Sequence, residues 1–116
     1  MRLRSVPSSA SFREFVIEQL SRVVPRVRSR SMFGGVGIYA GERFFALIAN
    51  NVLYFKVDDL NRGDYEARDM GPFRPYGDDR DKMQYYEVPP YVLEDADALK
   101  DWADKAIGAA ERKKRR

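Results

Sequence analysis

Apolar residues change their spacing several times along this chain, and each change predicts a different element. Phe12, Phe15, Val16, Leu20 and Val23 recur at helical intervals and predict a first helix, with Ser11-Phe12-Arg13-Glu14 as a capping box at its start. Pro25 cannot continue a helix, so this one is expected to end near Val24. Val27 to Phe33 alternates only loosely, which allows a short strand. Val36–Ala40 and Arg43–Asn50 are rich in Val, Ile, Phe and Tyr and flank Gly41-Glu42, the expected turn of a tight hairpin. Val52–Val57 follows Asn50-Asn51, where asparagine tolerates positive φ, so a second two-residue hairpin is expected.

Beyond the hairpins, Asp58 or Asp59 is expected to cap a helix running to about Met70, with Gly71 as a left-handed stop and Pro72 preventing continuation. Phe73–Tyr76 and Lys82–Val88 read as two further strands across the charged turn Gly77-Asp78-Asp79-Arg80-Asp81. Pro89-Pro90 breaks the pattern, and a last helix begins at Asp95 with Leu99, Trp102, Ala103, Ala106 and Ile107 on one face. The prediction is an α+β fold in the order α-β(3)-α-β(2)-α, a single antiparallel sheet with helices on one face.

The block RSMFGGVGIYAGERFFALIANNVLYFKVDD, from Arg30 to Asp59, closely resembles the signature of the TfoX/Sxy amino-terminal domain of bacterial competence regulators. Asn61-Arg62, the Tyr85-Tyr86-Glu87-Val88-Pro89 run and the Trp102 helix extend the resemblance to roughly Phe12–Ala110. It implies the same element order, in a secretion-chaperone-like arrangement, and a non-enzymatic regulatory or protein-interaction module with no catalytic residues and no cofactor. It further implies a protein partner such as a transcription factor, and a homodimer like the paired chaperones. Two-domain relatives continue into a second helical domain, whereas this sequence stops after its last helix and a basic tail.

Composition narrows the chemistry. The 116 residues include no cysteine and no histidine, which removes disulfides, thiolate nucleophiles, imidazole shuttles and His-ligated metals. No apolar run is long enough for a membrane span, and the first residues lack the apolar stretch of a secretory signal, so a cytoplasmic protein is expected. The net charge of +3 is unevenly spread: residues 1–31 carry +5, residues 32–110 carry −6, and residues 111–116 carry +4. One domain with a core over about residues 11–110 and flexible basic ends at 1–7 and 111–116 is expected.

Each candidate site has a plainer reading beside it. Gly34-Gly35-Val36-Gly37 lacks the context of a phosphate loop and is expected to serve a bulge or close backbone approach. Arg43–Ile48 lacks the glycine of an RNA-recognition strand, so core packing is expected there. Lys56, Asp58, Asp59 and Arg62 form the most regular polar cluster, read as a helix cap plus an ion pair. Asp78, Asp79 and Asp81 lack the pattern of a cation loop and suit a turn. A metal-dependent or phosphate-handling enzyme on Asp58, Asp59 and that turn is the weakest alternative, since no nucleophile–base pair can be assembled. Tyr85 and Tyr86 should face opposite sides of their strand, and Tyr54 and Tyr86 are the expected protein-contact residues. Arg112, Lys113, Lys114, Arg115 and Arg116 could contact nucleic-acid phosphates without sequence preference.

Overall fold

Five strands form one antiparallel meander in the computed structural model, which describes residues 9–32, 34–74 and 84–114. They are β1 (Val27–Met32), β2 (Gly35–Ala40), β3 (Arg43–Ala49), β4 (Val52–Lys56) and β5 (Tyr85–Glu87), in that spatial order. The loosely alternating segment is thus a full strand, and four strands rather than three precede the second helix. Both hairpin turns form where the sequence places them. Gly41 supplies φ of 60°, and Asn50 and Asn51 take 53° and 60°, the paired positive values that match the twist of a two-residue hairpin. At Gly35 a Cβ would meet the Ile48 carbonyl oxygen at 2.4 Å, the close backbone approach expected of this glycine run.

The helices are α1 (Ala10–Val23), α2 (Arg62–Glu66), α3 (Pro90–Leu93) and α4 (Ala96–Lys114). Val16 and Leu20 of α1 and Leu99, Trp102, Ala103 and Ala106 of α4 share one buried cluster with Ile38, Phe45, Ile48 and Phe55 of the sheet. Tyr39, Phe44, Leu47, Tyr54 and Tyr85 lie outside that cluster, on the opposite face. A bulge makes this division possible. Register passes from Ile38↔Ala46 to Tyr39↔Phe44, so Phe45 is left over and joins Ala46 in the core while Phe44 turns away. Trp102 is buried as expected, and the ring nearest to it belongs to Tyr65 of α2, edge-on at 4.7 Å.

Four local expectations need correction. The cap of α1 is Ser9, not Ser11; its hydroxyl accepts from Phe12 N at 3.1 Å. Neither Asp58 nor Asp59 caps α2, because the buried Asn61 side chain organises the turn, accepting from Asp58 N (2.8 Å) and donating to Lys56 O (3.0 Å). The helix then stops early: Asp69 at φ 58°, not Gly71, is the left-handed residue, with Asp69 N bonded to Glu66 O and Met70 N to Tyr65 O as in a Schellman motif. Finally, Gly71–Phe73 flanks β5 only as an isolated Pro72↔Tyr86 bridge, since proline has no N–H to extend a ladder. Tyr76, Lys82 and the Asp78–Asp81 turn lie outside the described residues.

Candidate functional site

The Lys56–Arg62 cluster becomes a cleft when α4 crosses the end of the sheet. Lys56 ends β4, Asp58 and Asp59 occupy the turn into α2, and Arg62 opens that helix. The last turns of α4 bring Arg112 and Lys113 over them, and Gln84 closes the side next to β5. The space enclosed is about 510 Å³. A second hollow of about 590 Å³ shares Lys56, Gln84 and Lys113 with it and extends over Phe44 and Tyr85.

Two ion pairs brace the walls. Arg62 reaches Asp59 at 2.7 Å and the Gln84 side-chain oxygen at 2.8 Å. Arg112 grips Asp58 with two bonds, Nε at 2.5 Å and a terminal nitrogen at 3.0 Å, the forked geometry suited to a carboxylate. The Arg112 hydrogen bond is the main reason the Asp58 carboxyl is held below its usual range; bonding from Leu60 N adds to it and desolvation opposes it. Lys56 is different. It is only 6 % exposed, and its ammonium lies 5.0 Å from the centre of the Tyr85 ring. Burial lowers its pKa, the nearby Lys113 charge lowers it further, and Asp58 acts in the opposite sense. Burial also pushes the Tyr85 hydroxyl up to about 12.

Residues 18–110 match the sequence model of the TfoX N-terminal domain. The chain belongs to that family. No curated protein matches it in sequence. The TfoX N-terminal domain is in general a regulatory or interaction module, and no described helix here is long and apolar enough to cross a membrane.

Within this TfoX N-terminal domain the expected contact tyrosines are not equivalent. Tyr85 and Tyr86 do point to opposite faces, but both are 6 % exposed, because each face has a cover at that point. Tyr86 packs inward against Tyr65, with ring centres 5.9 Å apart, so it has no surface to offer a partner. Tyr54 is half-buried on the other face beside Phe73, ring centres 5.0 Å apart. The expected free tail is a continuation of α4 as far as Lys114, with Arg112 paired to Asp58; Arg115 and Arg116 lie outside the described residues. Sequence reasoning missed Arg112 and Lys113 as parts of the cleft. The available signal was the run Ala106, Ala109, Ala110, which carries the apolar spacing of α4 past Ile107 and so past the supposed start of the tail. Among the described residues no group of three or more Asp or Glu side chains is placed to hold a metal ion.

Proposed function

We propose that this TfoX N-terminal domain is a non-enzymatic regulator that works by protein association, in the bacterial cytoplasm and in transcriptional control of the competence type. The sheet face that no described helix packs across is the observation that supports this reading. Tyr39, Phe44 and Tyr85 cross it in one aromatic row, with successive ring centres 5.1 and 5.4 Å apart. The Arg28 guanidinium covers the Tyr39 end at 4.7 Å. Aromatic side chains beside arginine are the groups that concentrate binding energy at interface centres. The partner is another protein, a transcription factor in this reading, and a second copy of the chain covers the same face in a homodimer. Duplex binding through residues 112–116 is the weaker reading, since Arg112 is already committed to Asp58.

Capture of partners from the native host, with and without nuclease, tests the proposal. Partner recovery should survive nuclease and fall with Phe44→Ala, while circular dichroism stays unchanged. Recovery that disappears with nuclease would replace protein association by nucleic-acid binding. Light scattering that returns the monomer mass at high concentration would remove the homodimer.

A further inference from the structure

The cleft at the end of α4 holds more positive charge than its own carboxylates neutralise. Arg62 and Arg112 have their anions in Asp59 and Asp58. Lys56 has none within ion-pair reach: among the described residues its ammonium makes no hydrogen bond and no ion pair, and it lies beside the Tyr85 ring, with Asp58 acting on it only from farther away. Lys113 opposite makes no ion pair among the described residues, and it is near enough to Lys56 to depress the proton affinity of that lysine. Arg43, on the rim of the adjoining hollow, has its anion in Glu111 at 3.5 Å, while its buried Nε meets no acceptor among the described residues. The Lys56 side chain is largely covered while its ammonium borders both hollows, and a cation–π contact offsets only part of the cost of such partial desolvation. Such an arrangement becomes favourable when a ligand brings the missing anion.

The geometry points to a binding site for a small phosphate ester, its dianionic phosphate between Lys56 and Lys113 and its organic part over Phe44 and Tyr85. Among the described residues lining this cleft four cations face two carboxylates, and both carboxylates are taken by arginines, which leaves two lysine charges to match a dianion. A monocarboxylate would neutralise only one of them. Gln84 offers an amide beside the lysines, and the two joined hollows have the size usual for a small-molecule site. The Phe44 and Tyr85 rings, 5.4 Å apart, give the ester an apolar wall that inorganic phosphate would leave unused. The inference does not depend on the protein-association reading, but both use Phe44 and Tyr85, so a bound ester and a protein on the aromatic row should compete.

The test titrates the full chain with inorganic phosphate and with phenyl phosphate at constant ionic strength, with chloride and acetate as controls, following melting temperature and amide NMR shifts. Both phosphates should raise the melting temperature saturably, because a ligand bound only by the folded state stabilises it, and phenyl phosphate should bind about tenfold tighter. Lys56→Met should raise the melting temperature of the unliganded protein and abolish the phosphate-dependent increment. Should Lys56→Met fail to fold, the exposed Lys113→Met carries the test, with affinity lowered about tenfold and an unchanged baseline. A rise no greater than that in chloride would overturn the proposal, as would phosphate binding that Lys113→Met leaves intact. Binding of a single-stranded oligonucleotide without binding of phenyl phosphate would overturn it too, in favour of a nucleic-acid surface.

Discussion

The two faces of the sheet draw on the same strands, yet one is sealed and the other is half open. Under α1 and α4, Ile38, Phe45, Ile48 and Phe55 are completely enclosed. On the far side Tyr39, Phe44 and Tyr54 are only half-buried, and the cations Arg28 and Lys56 stand at the two ends of the aromatic row. Strand alternation supplies apolar side chains to both faces, so alternation does not decide which becomes the core. The helices decide it, helped by the bulge that sends both Phe45 and Ala46 to their side. The open face keeps large rings with polar or charged neighbours, a composition suited to reversible contact rather than permanent burial.

The largest expected effect lies on the sealed side. Trp102→Ala should cost about 3–5 kcal/mol in denaturant unfolding, the range for removing a core aromatic, since the indole fills the space between α4 and Tyr65. Phe44→Ala, its counterpart on the open face, should cost about 1–1.5 kcal/mol, roughly half the value of a fully buried side chain. Equal losses at the two sites would make the open face a second core and dissolve the contrast.

At the polar end of the sheet the effects are smaller and depend on pH. Asp58→Asn keeps the oxygen that accepts from Leu60 N but removes the charge held by Arg112. The pair is partly exposed, so the loss at neutral pH should be about 0.5–1 kcal/mol. The sign follows from the lowered carboxyl pKa. The folded state favours the ionised form, so its contribution is complete above the unfolded value near 3.8 and is lost as pH falls through the lower folded value. The gap between parent and variant should therefore begin to close only below about pH 3.8 and vanish as pH falls past the lower folded value; a gap that persists in stronger acid would separate the effect from Asp58 ionisation.

The smallest effect is expected at Tyr65, whose hydroxyl is buried without a partner among the described residues and whose pKa burial pushes upward. Tyr65→Phe should change stability by no more than about 0.5 kcal/mol, or raise it, because it removes a polar group that gains nothing on folding. A loss above about 1 kcal/mol would mean that the hydroxyl has a bound water as its partner.

Much of the sheet was legible in advance. Asn50-Asn51 and Gly41-Glu42 mark the hairpins, and Asp95 marks the start of α4, where its carboxylate accepts from the backbone of Asp97 and Ala98. The failures fall where a side chain has two local options. Asp58 is a good cap in isolation, but Asn61 reaches Lys56 and Asp58 first, and Arg112 offers the carboxylate a stronger partner. Tyr86 was read as exposed from alternation, which assigns a residue to a face without saying what covers it.

The sequence by itself determined the first and last helices, the strands of the hairpins, the two tight turns and the antiparallel order, because φ preferences and apolar periodicity act over a few residues. Only the tertiary structure decided which face of the sheet α4 would seal, and that its last turn would bring Arg112 to an aspartate 54 residues earlier in the chain. The same crossing left Lys56 buried beside Tyr85 with no ion-pair partner among the described residues. Charge pairing at that sequence separation depends on where a whole helix packs, and no local pattern encodes that placement.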